Sequence, residues 1–251
     1  MKLAGRVAVV TGGSRGIGAG ICEELAAAGA AVAVNFTNRE SEANAVVERL
    51  RASGVPARAF RADVSKKGAV DRMMDDVANA FGRIDILVNN AGICPIADFF
   101  AIDEATWRRT IDVNLAGAFF CSQAAGRHMR QRGGGSIIHI STVTSFRGGP
   151  EQVHYAASKG GLNSLTSSMA VALGPYGIRT NAILCGGVPT DINRHQFTGE
   201  VPSPKAKNRG LPAGRVGSPE DIGKAVVFLA SGDSEWVTGA TLAVDGGALV
   251  L

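Results

Sequence analysis

Short runs of branched apolar residues recur along the chain. Each is followed by a longer stretch whose apolar positions repeat every three or four residues. The first kind, RVAVVT (6–11), 32–36, PARAFR (56–61), IDILVNN (84–90), SIIHIS (136–141), RTNAIL (179–184) and TLAV (241–244), predicts strands. The second kind, at 16–28, 40–53, 66–81, 103–131, 153–173 and 218–231, predicts helices. The last helix carries its own start signal: Ser218 to cap, Pro219 at the first helical position, then Glu220 and Asp221 in the first turn. Most strands are continuously apolar, as expected where helices cover both faces of a sheet. Strand and helix alternate throughout. That pattern predicts an α/β fold, a Rossmann-type doubly wound seven-stranded parallel sheet flanked by helices on both faces, in one domain spanning 1–251. The irregular stretch 187–217 is too long to be idle in such a domain and is expected to act as a substrate lid.

Composition narrows the classes. With 251 residues, 45% hydrophobic and 6% aromatic, the chain can bury a core of Val, Ile, Leu and Ala. No apolar run is long enough to cross a bilayer, and MKLAGRVAVV reads as a first strand rather than a leader, so a cytoplasmic location is expected. Cys22, Cys94, Cys121 and Cys185 are scattered, with neither a CxxC pair nor a ligand spacing, so no metal is expected. The net charge of +4 comes from dispersed residues, with only a small cluster at Arg127, Arg130 and Arg132. A nucleic-acid binder usually shows a basic face or stripe. A taste for anionic small molecules fits the charge equally well.

TGGSRGIG (11–18) joins the first strand to the first helix. Gly12, Gly16 and Gly18 allow a tight turn and close approach to a pyrophosphate at the helix N-terminus. The end of the second strand bears on which dinucleotide binds. An acid there would hold the ribose hydroxyls of NAD(H) and repel an added 2′-phosphate. Here the chain reads Asn35-Phe36-Thr37-Asn38-Arg39, without an acid. Arg15 in the glycine turn and Arg39 can supply an arginine seat for the phosphate. NADP(H) is therefore expected over NAD(H).

TGGSRGIG, NNAG (89–92), Asn114 within DVNLAG, and Tyr155-x-x-x-Lys159 occur in that order. The ordered set resembles the classical short-chain dehydrogenases/reductases over essentially the whole chain. The resemblance implies a cofactor site formed by Gly12, Ser14, Arg15, Gly16, Ile17, Gly18, Phe36, Thr37, Asn38, Asp63, Val64, Asn90, Ala91, Gly92, Tyr155, Lys159, Gly186, Val188 and Thr190. It implies Tyr155 as the proton donor or acceptor, Lys159 as its ammonium partner and Asn114 as the holder of a relay water. Residues four apart share a helix face, so Tyr155 and Lys159 are expected side by side. A free phenol has a pKa of about 10, and a neighbouring ammonium with an oxidised nicotinamide is expected to lower it. The family's substrate-binding serine falls on Thr142, with Ser141 one place earlier as the alternative. A second departure is Cys185-Gly186 where the family has Pro-Gly.

Cys94, Thr142, Thr144, Gln152, His154, Tyr155, Asn193 and Arg194 are expected around the substrate. Such a polar ring suits a polyhydroxylated ligand. NNAGICP, ALGPYGIR and TDIN are similar to the bacterial sugar 1-dehydrogenases of this family, the L-rhamnose 1-dehydrogenases in particular. A ketoreductase acting on 3-oxoacyl, β-keto ester or cyclic ketone substrates is the alternative. The stretch 160–176 has no Lys or Arg to meet an acidic acyl carrier. A nucleotide-sensing module without catalysis is the remaining reading, although both Tyr155 and Lys159 are present. The resemblance also implies a homotetramer.

Overall fold

The computed structural model describes residues 1–196, 205–208 and 210–251, the side chains of 194–196 excepted. Seven strands, β1 (Val7–Val10), β2 (Ala31–Phe36), β3 (Ala57–Arg61), β4 (Ile86–Asn89), β5 (Gly135–Thr142), β6 (Ile178–Cys185) and β7 (Thr241–Val244), form one sheet. Its order is β3-β2-β1-β4-β5-β6-β7, and every pairing is parallel. The chain runs outward from β1 to β3, then returns to place β4 on the other side of β1. That reversal opens a crevice at the carboxyl ends of β1 and β4, where doubly wound sheets bind ligands.

Apolar helix faces cover the sheet on both sides. Helices α1 (Gly16–Ala27), α2 (Glu40–Ala52) and α8 (Pro219–Ala230) cover one, burying Ile21, Leu25, Val46, Leu50, Ile222 and Val226. Helices α3 (Lys67–Phe81), α5 (Gly117–Gln131) and α7 (Val153–Leu173) cover the other, with Met73, Met74, Val77, Cys121, Met129 and Met169 against the strands. Each such side chain contributes about 2 kcal/mol by leaving water. The expected start of α8 forms as a capping box: Ser218 Oγ accepts from Asp221 N, and Asp221 Oδ2 accepts from Ser218 N at 2.8 Å. No helix among the described residues is long and apolar enough to cross a membrane.

The structure departs from the expected elements in two places. The helix expected over 103–131 runs unbroken from Glu104 to Gln131 but changes its winding, from α4 (Glu104–Ile111) through a widened π turn at Asp112–Ala116 into α5. A four-residue helix, α6 (Thr144–Arg147), stands between β5 and α7. Within 187–217, a turn over Asp191–Gln196 is followed by 205–208 and 210–217, which pair through Asn208 N to Gly214 O and Val216 N to Ala206 O. Residues 197–204 and 209 of the expected lid lie outside the described residues.

Candidate active site

One cleft of about 900 Å³ runs along the carboxyl end of the sheet, from the glycine turn and the end of β2 to Tyr155 on α7. The glycine turn is shaped for close approach. Gly12 has a φ of +62°, open to glycine at little cost. A Cβ at Gly18 would stand 2.3 Å from Gly12 O and 2.6 Å from Asn90 Nδ2. Asn90 braces the turn by donating from Nδ2 to Thr11 O and Gly12 O at 2.9 and 3.1 Å. Arg15 precedes α1 without capping it by its side chain, so no side chain at that position claims the first N–H groups. A pyrophosphate fits this cradle.

Further along, beside the ends of β2 and β3, Phe36, Thr37, Asn38, Asp63 and Val64 line the cleft, joined by Arg39 and by two residues that the sequence did not single out, Glu42 and Arg109. Asp63 accepts from Ser65 N and Oγ at 3.0 and 2.7 Å and from Arg109 at 3.3 Å. Burial alone would raise its carboxyl, but those bonds and the arginine charge hold it below the usual range. Arg39 Nη1 donates to Glu42 Oε1 at 2.8 Å, while Arg15 is ion-paired with Asp191 from the turn after β6. Gly186, Val188 and Thr190 line the opposite wall. A Cβ on Gly186 would meet Asp245 Cα at 2.5 Å, so only glycine lets β6 leave the sheet here.

At the catalytic end, Tyr155 and Lys159 stand on one face of α7, with Lys159 Nζ 5.9 Å from the Tyr155 ring centre. Lys159 is 4% exposed and donates to Ile140 O at 2.7 Å. Burial brings its ammonium down to about 8. Burial also pushes the Tyr155 phenol above its usual value, and the hydrogen bond with Thr142 opposes the rise. The protein alone therefore does not lower the phenol. Desolvation is the larger effect and the thiols of Cys94 and Cys185 add to it.

Thr142, at the end of β5, lines the cleft with Tyr155 and donates to Thr144 Oγ1 at 3.3 Å. Ser141 instead turns its hydroxyl to Lys159 O at 3.4 Å, as strand alternation requires. Asn114 sits in the π turn. Its Oδ1 accepts from Ile93 N at 2.8 Å, and its Nδ2 donates to Ile93 O and Ser158 Oγ at 2.9 and 3.0 Å. Gly92 separates Asn114 from Lys159: a Cβ there would lie 3.3 Å from Asn114 Oδ1 and 3.6 Å from Lys159 Nζ.

The expected substrate residues divide. Cys94, Thr142, Thr144, Gln152 and Asn193 line the cleft beside Tyr155. Gln152 donates from Nε2 to Cys94 Sγ at 3.3 Å, and burial pushes that thiol up to about 11. Asn193 is turned inward. Its Oδ1 accepts from Thr190 N at 2.8 Å and its Nδ2 donates to Val188 O at 3.0 Å, so it braces the turn. His154 is a correction. It is fully buried, does not line the cleft, and finds no hydrogen-bond partner among the described residues. Adjacent helical residues point about 100° apart, so a neighbour of Tyr155 cannot share its face. The side chain of Arg194 lies outside the described residues. Asp191 escapes sequence reasoning because its partner Arg15 lies 176 positions away, whereas Glu42 stands only three positions from Arg39 and the spacing carries that signal.

Comparison with known proteins adds to this geometry. A family model described as enoyl-(acyl carrier protein) reductase matches residues 12–248. An L-rhamnose 1-dehydrogenase (NAD(P)(+)) of Azotobacter vinelandii is 41% identical, covering 100% of this chain and 99% of its own. An L-rhamnose 1-dehydrogenase (NADP(+)) of Thermoplasma acidophilum is 37% identical, covering 98% of this chain and 97% of its own. Among solved structures, a gluconate 5-dehydrogenase of Burkholderia cenocepacia in complex with NADP and tartrate superposes with a TM-score of 0.89 at 38% identity, covering 99% of this chain and 96% of that one.

Proposed function

Because the chain belongs to the short-chain dehydrogenase/reductase family of oxidoreductases, we propose that it oxidises the ring hemiacetal of a sugar, L-rhamnose foremost, to its lactone. The observation that carries the reading is the polar wall beside Tyr155. Thr142, Thr144, Gln152 and Cys94 present hydroxyl, amide and thiol groups that bond one another, Thr142 to Thr144 and Gln152 to Cys94, and that a polyhydroxylated ligand can engage in exchange. The relatives named as L-rhamnose 1-dehydrogenases support it. NADP(H) is the preferred cofactor in this reading, supported by Arg15, Thr37, Asn38 and Arg39 at the adenosine end.

In this reading the pyrophosphate rests on the glycine turn and α1, and Asp63 and Val64 hold the adenine. Tyr155 and Lys159 take the nicotinamide ribose, while Gly186, Val188 and Thr190 take its carboxamide. The nicotinamide supplies the hydride acceptor; the chain supplies the rest. Thr142 Oγ1 holds the reacting oxygen. Tyr155 Oη takes the proton as C1 loses its hydride, and the C1–O bond becomes the lactone carbonyl. Lys159 keeps the phenolate beside a positive charge, and Asn114 and Gly92 frame the path by which the proton leaves.

Reduction of 3-oxoacyl, β-keto ester or cyclic ketone substrates is the second reading, since the Tyr155-Lys159 pair serves a carbonyl reduction equally well. Absorbance at 340 nm with NADP+ and NAD+ against L-rhamnose, L-fucose and D-glucose separates the two. Growth with a sugar supports the first reading. No growth with any sugar, with NADPH consumed by β-keto esters, supports the second.

The proposed assembly is a homotetramer built through α4, α5 and α7, where Trp107, Phe119 and Val171 are 42%, 42% and 80% exposed. Light scattering is expected to give four times the mass of one chain, and a monomer mass contradicts it.

A further inference from the structure

Three arginines line the cofactor cleft, and each faces a carboxylate on the same lining: Arg15 with Asp191, Arg39 with Glu42, and Arg109 with Asp63. The adenosine end is therefore electrically balanced rather than basic. Asp191 also acts on the Arg39 charge, so the two arginines of the phosphate seat and two carboxylates form one cluster. These side chains are half exposed: 46% for Arg15, 56% for Asp191, 52% for Arg39 and 40% for Glu42. Exposed pairs of this kind are weak, and a phosphate dianion can displace them. The displaced carboxylates stay nearby and repel it.

We propose that Asp191 and Glu42 set the balance between NADP(H) and NAD(H) by competing with the 2′-phosphate for Arg15 and Arg39. The inference rests on the reading that these two arginines hold that phosphate. NAD(H) carries a neutral hydroxyl at the same position and is not repelled. The chain is thus a dual-cofactor protein whose preference is restrained from within, by one carboxylate from α2 and another from the turn after β6. The second links cofactor choice to the segment that walls the substrate end.

The test is binding of NADPH and NADH, each titrated by fluorescence into the wild-type protein and into the Arg15→Gln, Asp191→Asn and Glu42→Gln variants. The two acid-to-amide changes remove charge with little change of shape. Each is expected to tighten NADPH about two- to five-fold, the range set by an exposed charge pair, and to move NADH less than two-fold. Arg15→Gln is expected to weaken NADPH selectively. If it does not, the phosphate seat itself fails and the inference falls with it. If Arg15→Gln weakens NADPH but neither amide variant tightens it, the seat stands and the competition is overturned. A loss of NADPH affinity in Asp191→Asn also overturns it, since Asp191 would then be positioning Arg15 rather than occupying it.

Discussion

Lys159 shows most clearly what one position does to the whole. Four-residue spacing from Tyr155 makes the pair legible in the sequence, because residues four apart share a helix face. The consequences of burial are not legible there. Whether an ammonium keeps its ordinary affinity for a proton depends on walls that come from β5, α7 and the π turn. With its pKa brought down to about 8, the folded protein binds fewer protons than the unfolded chain between about 8 and the usual lysine value of 10.5. Stability therefore rises with pH across that window, and the full cost of the buried charge is present below it. That cost is on the order of 3 to 4 kcal/mol, since each tenfold loss of proton affinity corresponds to about 1.4 kcal/mol. Lys159→Met is expected to abolish oxidation. Relative to wild type, its denaturation midpoint should be highest near pH 7, with the difference shrinking as pH rises toward 10. A difference that stays constant with pH would show that the ammonium is not held below its ordinary value.

Among the elements, β5 and the helix 103–131 give opposite lessons. Alternation along β5 separates Ser141 from Thr142 on pattern alone, and the structure follows it: Thr142 bonds Thr144 on the cleft wall, and Ser141 bonds the backbone of α7. Thr142→Val is expected to lower kcat by about a hundred-fold or more, the usual loss when an oxygen-holding donor is removed. Ser141→Ala should stay within a few-fold of wild type. The reverse result would move the oxygen-holding role to Ser141. The change of winding in 103–131 has no such signal. Its apolar periodicity continues through Asp112–Ala116, and the widened turn is tied to bonds from Asn114 to Ile93, a residue 21 positions earlier. A tertiary partner selects that turn, so local propensity cannot reveal it. His154 fails as a substrate residue for a related reason. Its neighbour in sequence is in the site, but helix geometry turns it into the core.

At the scale of the molecule, strand-helix alternation is enough to give the doubly wound sheet. The reversal beside β1 then fixes the cleft at one end of it. What alternation cannot give is the charge balance inside that cleft, because Arg15 and Asp191 are 176 residues apart in the chain. The fold brings a glycine turn fit for a pyrophosphate, a Tyr-Lys pair with a buried lysine and a polar wall into one continuous space, and that combination carries the reading as a sugar 1-dehydrogenase. The most direct measurement is turnover of L-rhamnose deuterated at C1 with NADP+, following both the label and the sugar product by mass spectrometry. The expected result is deuterium on the nicotinamide and a lactone two hydrogen masses lighter than unlabelled rhamnose, with turnover by Tyr155→Phe lower by about 10²- to 10⁴-fold. Unchanged rhamnose and unlabelled cofactor, under conditions where NADPH is consumed by a β-keto ester, would contradict it.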